Sequence, residues 1–141
     1  MRNNFRSGCP IASTLDIVGD KWSLLLIRDM LIYHKKSFRE FSESAEQIAP
    51  SILSTRLKLL VEYGLISKHK LFDNKKENVY LLSEKGIGLS SILLDLTIWG
   101  DKNLREFNEL DSIKGLEMDK SMIIAKVNSD YQKMVESLDL E

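Results

Sequence analysis

Hydrophobic residues in the first part of the chain recur at the spacing of an α-helix. A first amphipathic segment has Pro10 in its opening turn, where proline fits a helix, and Gly19 at its end. Its apolar positions are Ile11, Leu15 and Val18. Asp20 is a suitable N-cap for a second helix, which we expect to continue to the polar residues 34–36. The apolar side of that helix consists of Trp22, Leu25, Leu26 and Met30.

Two more helices are predicted in the next part of the chain. Ser37 and Glu40 have the spacing of a capping box, in which the two side chains satisfy free amides of the first turn. The expected anchors of this short helix are Phe38 and Phe41. The fourth helix begins at Pro50, and Gly64 falls where a left-handed residue ends a helix. Its apolar positions are Leu53, Leu57, Leu60 and Val61.

The period of the pattern changes after the fourth helix. Residues 65–72 and 78–82 are rich in apolar and aromatic side chains, and the polar residues 73–77 separate them. This pattern predicts a β-hairpin with a basic polar tip. A further helix is predicted from Ser83 to Gly100. Its apolar positions are Leu89, Ile92, Leu93, Leu96 and Trp99.

The last segment has an apolar stripe at helical spacing, with acidic residues on its other faces. The stripe consists of Ile123, Val127, Tyr131, Met134 and Leu138. Because such a stripe must be covered by other apolar surface, we predict an oligomerisation element. The competing arrangement is a helix that folds back on its own domain.

Composition limits the class of protein. With 141 residues, 43% of them hydrophobic and 29% charged, the chain suits one folded domain with a helical appendage and excludes wholesale disorder. Neither a membrane-spanning run nor a signal-peptide core is present in the sequence, so we expect a cytoplasmic protein with no membrane partner. The single cysteine, Cys9, excludes an intramolecular disulfide and a multi-cysteine zinc site. No metal or cofactor is predicted.

The net charge of -1 hides an uneven distribution. Residues 1–100 hold 14 Lys and Arg against 11 Asp and Glu, whereas residues 101–141 hold 6 against 10. Residues 53–76 alone carry six cations and two acidic residues. Most such clusters are solvated faces, but this one coincides with the fourth helix and the hairpin.

A short helix, a turn, a helix of about a dozen residues and a basic hairpin form the layout of a winged helix-turn-helix. Hydroxyl groups near the start of the fourth helix let the backbone approach base edges, and cations contact guanine or phosphate. The candidate contacts of this recognition helix are Ser51, Ser54, Thr55, Arg56 and Lys58. Those of the wing are Lys68, Lys70, Asn74, Lys75 and Lys76. A plain exposed helix face is the alternative interpretation.

Several motifs resemble those of the HxlR-type family of bacterial winged-helix transcription regulators, which are relatives of the MarR group, and they occur in the same order along the chain. The matching segments are CPIASTLDIVGDKWSLLLIRDM (9–30), SFREF (37–41), ILSTRLKLLVEYGLI (52–66) and VYLLSEKGIGL (79–89). The resemblance implies a mainly α fold with a small β-hairpin, a winged helix-turn-helix domain with extra N- and C-terminal helices for dimerisation. It also implies a homodimer on a near-palindromic operator in double-stranded DNA. The wing departs from the family pattern because residues 72–78 lack proline.

We therefore divide the chain into a DNA-binding domain, residues 1–100, and a C-terminal helical extension, residues 101–141, as a dimerisation element. Catalysis is not expected, since the one cysteine and two histidines lie in no recognisable catalytic motif. A winged-helix module for protein interaction, without DNA binding, remains the alternative from another class.

The resemblance also implies a variant of the regulator that senses oxidants or electrophiles through Cys9. This cysteine falls at the predicted N-cap of the first helix, where free amides and the helix dipole favour a thiolate, and Arg6 is near in sequence. The alternative is a cysteine that only caps or packs. A small-molecule or oxidant effector is compatible with the sequence but is not identified by it.

Overall fold

The computed structural model describes residues 4–107 and 119–141. The helices are α1 (Pro10–Val18), α2 (Ser23–Leu31), α3 (Phe38–Ser42), α4 (Pro50–Glu62), α5 (Glu84–Ile87), α6 (Ser90–Asn103) and α7 (Lys120–Glu136), with a 3₁₀ turn at Arg105–Phe107. The strands are β1 (Ile66–His69) and β2 (Val79–Leu82). Part of the predicted extension, residues 108–118, lies outside the described residues. No helix within the described ranges is both long and apolar enough to cross a membrane.

The predicted fold class is confirmed: the chain is mainly helical with one antiparallel hairpin. Ile66 pairs with Leu82 and His69 with Val79 across the hairpin. One hydrophobic core joins α2, α3, α4, the hairpin and α7. Its fully buried members are Ile27, Met30, Leu31, Phe41, Leu53, Leu60 and Tyr131.

The helix predicted from Ser83 to Gly100 is two helices. After the short α5, the chain turns at Gly88 and Leu89, and α6 then continues past Gly100 to Asn103. A Cβ at Gly86 would collide with the carbonyl oxygen of Leu65, so glycine is needed where α5 crosses the start of the hairpin. Two glycines within four residues weaken the helix at this point.

Some predicted core positions are exposed. Phe38 and Val61 are each 38% exposed, whereas Phe41 is fully buried. The five-residue α3 presents one face to the core, and Phe41 occupies it, so the prediction of Phe38 as an anchor is wrong. Ile11 and Leu15 on α1 are also exposed, at 72% and 53%.

The first strand is shorter than predicted and ends at His69. Residues 70–72 instead pair with residues 139–141. The N–H of Phe72 donates to the carbonyl of Asp139 at 3.1 Å, and the N–H of Glu141 donates to the carbonyl of Lys70 at 2.9 Å. Residues 139–141 thus run as a short extended strand, joined by one isolated bridge, beside the point where β1 leads into the wing loop.

The stripe of α7 is covered largely by its own domain. Tyr131 is 1% exposed, and Val127 and Met134 pack against the core. Met122, at the start of the helix, is 69% exposed. The centre of α7 is therefore occupied within the domain, and a role of this helix in dimerisation stays a prediction.

Candidate nucleic-acid interface

Helices α3 and α4, with the turn between them, form the helix-turn-helix. Ala49 is the extended N-cap of α4 and Pro50 follows in the first turn, with no side chain capping the helix. Leu53, Leu57 and Leu60 are at most 2% exposed and fix one side of α4 to the core. The opposite side is thereby turned towards solvent.

The end of α4 sets the direction of the wing. Gly64 adopts φ +74°, and its N–H donates to the carbonyl of Val61 at 3.0 Å. The N–H of Leu65 donates to the carbonyl of Leu60 at 2.9 Å, which completes a Schellman motif. The predicted left-handed glycine is present, and the chain reverses directly into β1, next to α4.

The solvent-facing side of α4 carries four of the five predicted contacts. Ser51, Thr55 and Lys58 are exposed, and Ser54 is half-buried. The hydroxyl of Thr55 donates to the carbonyl of Ser51 at 2.9 Å, so its oxygen stays available as an acceptor. Lys58 has no ion pair with another described residue. This face is polar and carries an uncompensated cation.

The fifth predicted contact, Arg56, forms an ion pair within the domain. Its guanidinium lies 3.5 Å from the carboxylate of Asp20, which also accepts hydrogen bonds from the amides of Trp22 and Ser23 at 3.0 Å. Burial alone raises the pKa of Asp20, but the bonds from Ser23 and Trp22 and the charge of Arg56 hold it below its usual value. The N-cap of α2 is Trp22 and not Asp20 as predicted, because the helix begins only at Ser23. From two residues before the N-cap, the Asp20 carboxylate still satisfies the first amide of α2, and it also links α2 to the recognition helix.

A charge network fixes the turn before α4. The carboxylate of Asp29, which is 1% exposed, accepts from Arg28 at 2.7 Å and from the hydroxyl of Ser44. Arg28 also donates to both carboxylate oxygens of Glu46, at 2.8 and 3.0 Å. Hydrogen bonding to Glu46 raises the pKa of Arg28, and the same bonds lower the pKa of Glu46. This network was not predicted from the sequence, although an aspartate among the apolar residues of α2 was a signal of it.

The wing, which consists of β1, β2 and the loop between them, carries further cations beside α4. Lys68 and Lys76 are exposed, and Lys70 is half-buried. None of these three lysines forms an ion pair with a residue that the structure describes. The side chain of Asn74 donates to Glu77 at 3.3 Å. The ammonium of Lys75, in contrast, lies 3.3 Å from the carboxylate of Glu141.

Comparison with known proteins decides the family. The model of the HxlR-like helix-turn-helix family matches residues 17–108. Two HTH-type transcriptional regulators of Bacillus subtilis (strain 168) are similar in sequence. YdeP is 31% identical over 78% of this chain and 85% of its own length, and YybR is 32% identical over 82% and 90%.

The chain belongs to the HxlR family. A solved structure of the redox regulator HypR, in its reduced form, is similar as well. It has a TM-score of 0.59 and 29% identity and covers 71% of this chain and 100% of HypR. This HxlR-family chain is a helix-turn-helix transcriptional regulator, a class that binds DNA, and not an enzyme.

Arg39 is a further cation near the candidate interface of this HxlR-family protein, and it was not among the residues predicted from the sequence. It lies on α3, is exposed and has no ion-pair partner among the described residues. In a helix-turn-helix the first helix crosses the DNA backbone. The signal in the sequence was a basic residue inside the capping box of α3.

Cys9 occupies the predicted N-cap of α1, but its side chain makes no capping hydrogen bond. It is an exposed free cysteine. Arg6 donates to the carboxylate of Asp16 and forms an ion pair with it.

Proposed function

We propose that this HxlR-family regulator binds double-stranded DNA sequence-specifically, as a homodimer on a near-palindromic operator. The observation that carries the proposal is the polar side of α4. Among the described residues, Lys58 on this side and the neighbouring wing lysines 68 and 76 have no ion-pair partner. A helix of 13 residues is about 20 Å long and fits the major groove, which is about 12 Å wide.

The recognition helix α4 and the wing make different kinds of contact with DNA. Ser51, Ser54, Thr55 and Lys58 face the bases, where hydroxyls and an ammonium read hydrogen-bonding groups in the groove. The wing contacts the phosphates and fixes the register of α4 without reading sequence. Its contributors are Lys68, Lys70, Asn74, Lys75 and Lys76. Arg56 contacts the DNA backbone only when its ion pair with Asp20 opens.

The dimer is proposed from apolar side chains that the single chain leaves exposed. On α1 and α6 these are Ile11, Leu15, Ile92, Leu96 and Trp99, between 38% and 72% exposed. Residues 101–141 add Leu104, Phe107 and Met122. A second copy covers such surface with the same surface of its own. A two-fold dimer then spaces its recognition helices for half-sites about 34 to 36 Å apart.

The test is a DNA titration across salt concentrations, with duplexes from the protein's own upstream region and scrambled duplexes of equal length. We expect tighter binding of the native duplex and an affinity that falls steeply with salt. Lys58→Ala should lower the affinity for the native duplex more than for the scrambled one, because a lysine that faces the bases contributes to the sequence preference. Lys126→Ala, an equal change of charge on α7, is the control. A protein that binds no duplex at low salt is instead a protein-interaction module.

A thiol-sensing version of the same regulator is the second candidate function. It is favoured by an exposed Cys9 without a capping hydrogen bond and by the similarity to HypR, a redox regulator. Two Cys9 thiols, one from each subunit, would lose two protons and two electrons to diamide, which becomes the hydrazine. The disulfide forms only if the two Cα atoms come within about 7 Å.

Diamide treatment followed by non-reducing electrophoresis and DNA titration tests this candidate. We expect a crosslinked dimer with altered operator affinity, and Cys9→Ser should show neither effect. Unchanged affinity after complete modification of Cys9 would make the cysteine structural.

A further inference from the structure

The strand formed by residues 139–141 lies against the wing that DNA binding uses. Leu140 and Leu71 form an antiparallel bridge, and two backbone hydrogen bonds flank it, from Phe72 to Asp139 and from Glu141 to Lys70. This pairing fixes the backbone of residue 141 beside the loop that carries the wing lysines.

The strand brings a negative charge to one of those lysines. The carboxylate of Glu141 is 3.3 Å from the ammonium of Lys75, which also lies 5.8 Å from the ring centre of Phe72. The side chains of Lys75 and Glu141 are 57% and 45% exposed. An ion pair this open to solvent contributes little to stability and is readily exchanged.

We propose that residues 139–141 are a built-in competitor of DNA at the wing, with Glu141 holding Lys75 in place of a phosphate. This inference rests on the proposed function. An ammonium that binds phosphate must first leave the carboxylate, and a carboxylate that stays near the phosphate repels it. Both effects weaken binding to any duplex, because phosphate contacts carry no sequence information.

Residues 139–141 are connected to the hydrophobic core through α7. Helix α7 ends at Glu136, three residues before the strand, and α7 is anchored in the core by Tyr131. A change in the position of α7 therefore moves the carboxylate towards or away from Lys75. The geometry gives this segment a means of setting the number of wing cations available to DNA.

The experiment compares Glu141→Gln with the wild type in DNA titrations on scrambled duplexes. Glutamine keeps the size of the side chain and the backbone pairing but removes the charge. We expect Glu141→Gln to bind about two- to fivefold more tightly at low salt and to steepen the salt slope by about 0.9 per subunit, as each subunit gains one phosphate contact. In the Lys75→Ala background, Glu141→Gln should have no effect.

Asp139→Asn is the matched control, because Asp139 is exposed and pairs through its backbone carbonyl. A general effect of charge would appear equally in this variant, whereas competition for Lys75 predicts a clearly smaller change. The proposal is overturned if Asp139→Asn matches Glu141→Gln, or if the gain survives in Lys75→Ala. Salt-dependent binding that Glu141→Gln leaves unchanged overturns this inference alone. Absence of binding in wild type and variants overturns the proposed function with it.

Discussion

The phenol oxygen of Tyr131 in α7 accepts a hydrogen bond from the backbone N–H of Leu82, at the end of β2, over 2.8 Å. Both residues are buried, and burial raises the pKa of the tyrosine. The bond satisfies an amide that would otherwise be buried without a partner. It makes the tail helix a structural neighbour of the wing.

Tyr131→Phe should lower the free energy of unfolding by about 1 to 2 kcal/mol, because the N–H of Leu82 is left unsatisfied. Urea unfolding followed by circular dichroism measures this change. Tyr33→Phe removes the same hydroxyl from a side chain that is 60% exposed, and it should change stability by less than about 0.5 kcal/mol. Equal losses in the two variants would show that the bond to Leu82 contributes nothing specific.

The link between α2 and the recognition helix gives a second prediction. Asp20→Ala removes the carboxylate that accepts the amides of Trp22 and Ser23 at the start of α2, together with the partner of Arg56. It should destabilise the protein by about 1 to 2 kcal/mol. Thermal and urea unfolding check the loss. Asp73→Ala, at an exposed position in the wing loop, removes the same charge and should be nearly neutral. Wild-type stability in Asp20→Ala would contradict the capping role.

Local signals in the sequence predicted much of this fold. Gly64 adopts the left-handed conformation that its position indicated, and the hydroxyl of Ser37 accepts the N–H of Glu40 as the capping-box spacing required. These interactions join residues a few positions apart, so sequence spacing reveals them. The apolar period of α4 likewise predicted which side of the helix faces solvent.

Contacts between distant segments were not predictable in the same way. Arg56 and Asp20 meet only because α2 and α4 pack on one core, and Glu141 reaches Lys75 only because α7 returns along the domain. The pattern of α7 predicted an oligomerisation element, with a helix that folds back on its own domain as the alternative. Tyr131 shows that its centre is covered by the domain.

The proposed dimer surface gives a third prediction. Leu15→Glu combined with Leu96→Glu places charges on exposed positions of α1 and α6, and it should shift the protein to monomer in sedimentation equilibrium. Operator affinity should fall as well, since each monomer then binds one half-site. Phe72→Glu, an equivalent change at a 53% exposed position on the wing, should leave the oligomeric state unaltered. A double variant that sediments as a dimer places the interface elsewhere.

The turn before the recognition helix should make stability depend on acid pH. Hydrogen bonds from Arg28 lower the pKa of Glu46 below its usual value of 4.5, so the folded state binds this proton less readily than the unfolded state. The resulting stability is present above the unfolded pKa and is lost as pH falls through the folded pKa. We expect the free energy of unfolding to decrease below about pH 4.5, with Asp20 adding to the decrease at lower pH.

Glu46→Gln separates the contribution of this pair from that of other carboxylates. Because the side chain of Glu46 is 38% exposed, its pair with Arg28 is screened by solvent, and the variant should lose only about 0.5 to 1 kcal/mol at pH 7. Its further loss between pH 7 and pH 3 should be smaller than that of wild type, since glutamine does not titrate. Glu62→Gln, an exposed position at the end of α4, should follow the wild-type profile. If Glu46→Gln loses as much stability on acidification as wild type, the Arg28 pair is not what makes the fold sensitive to acid.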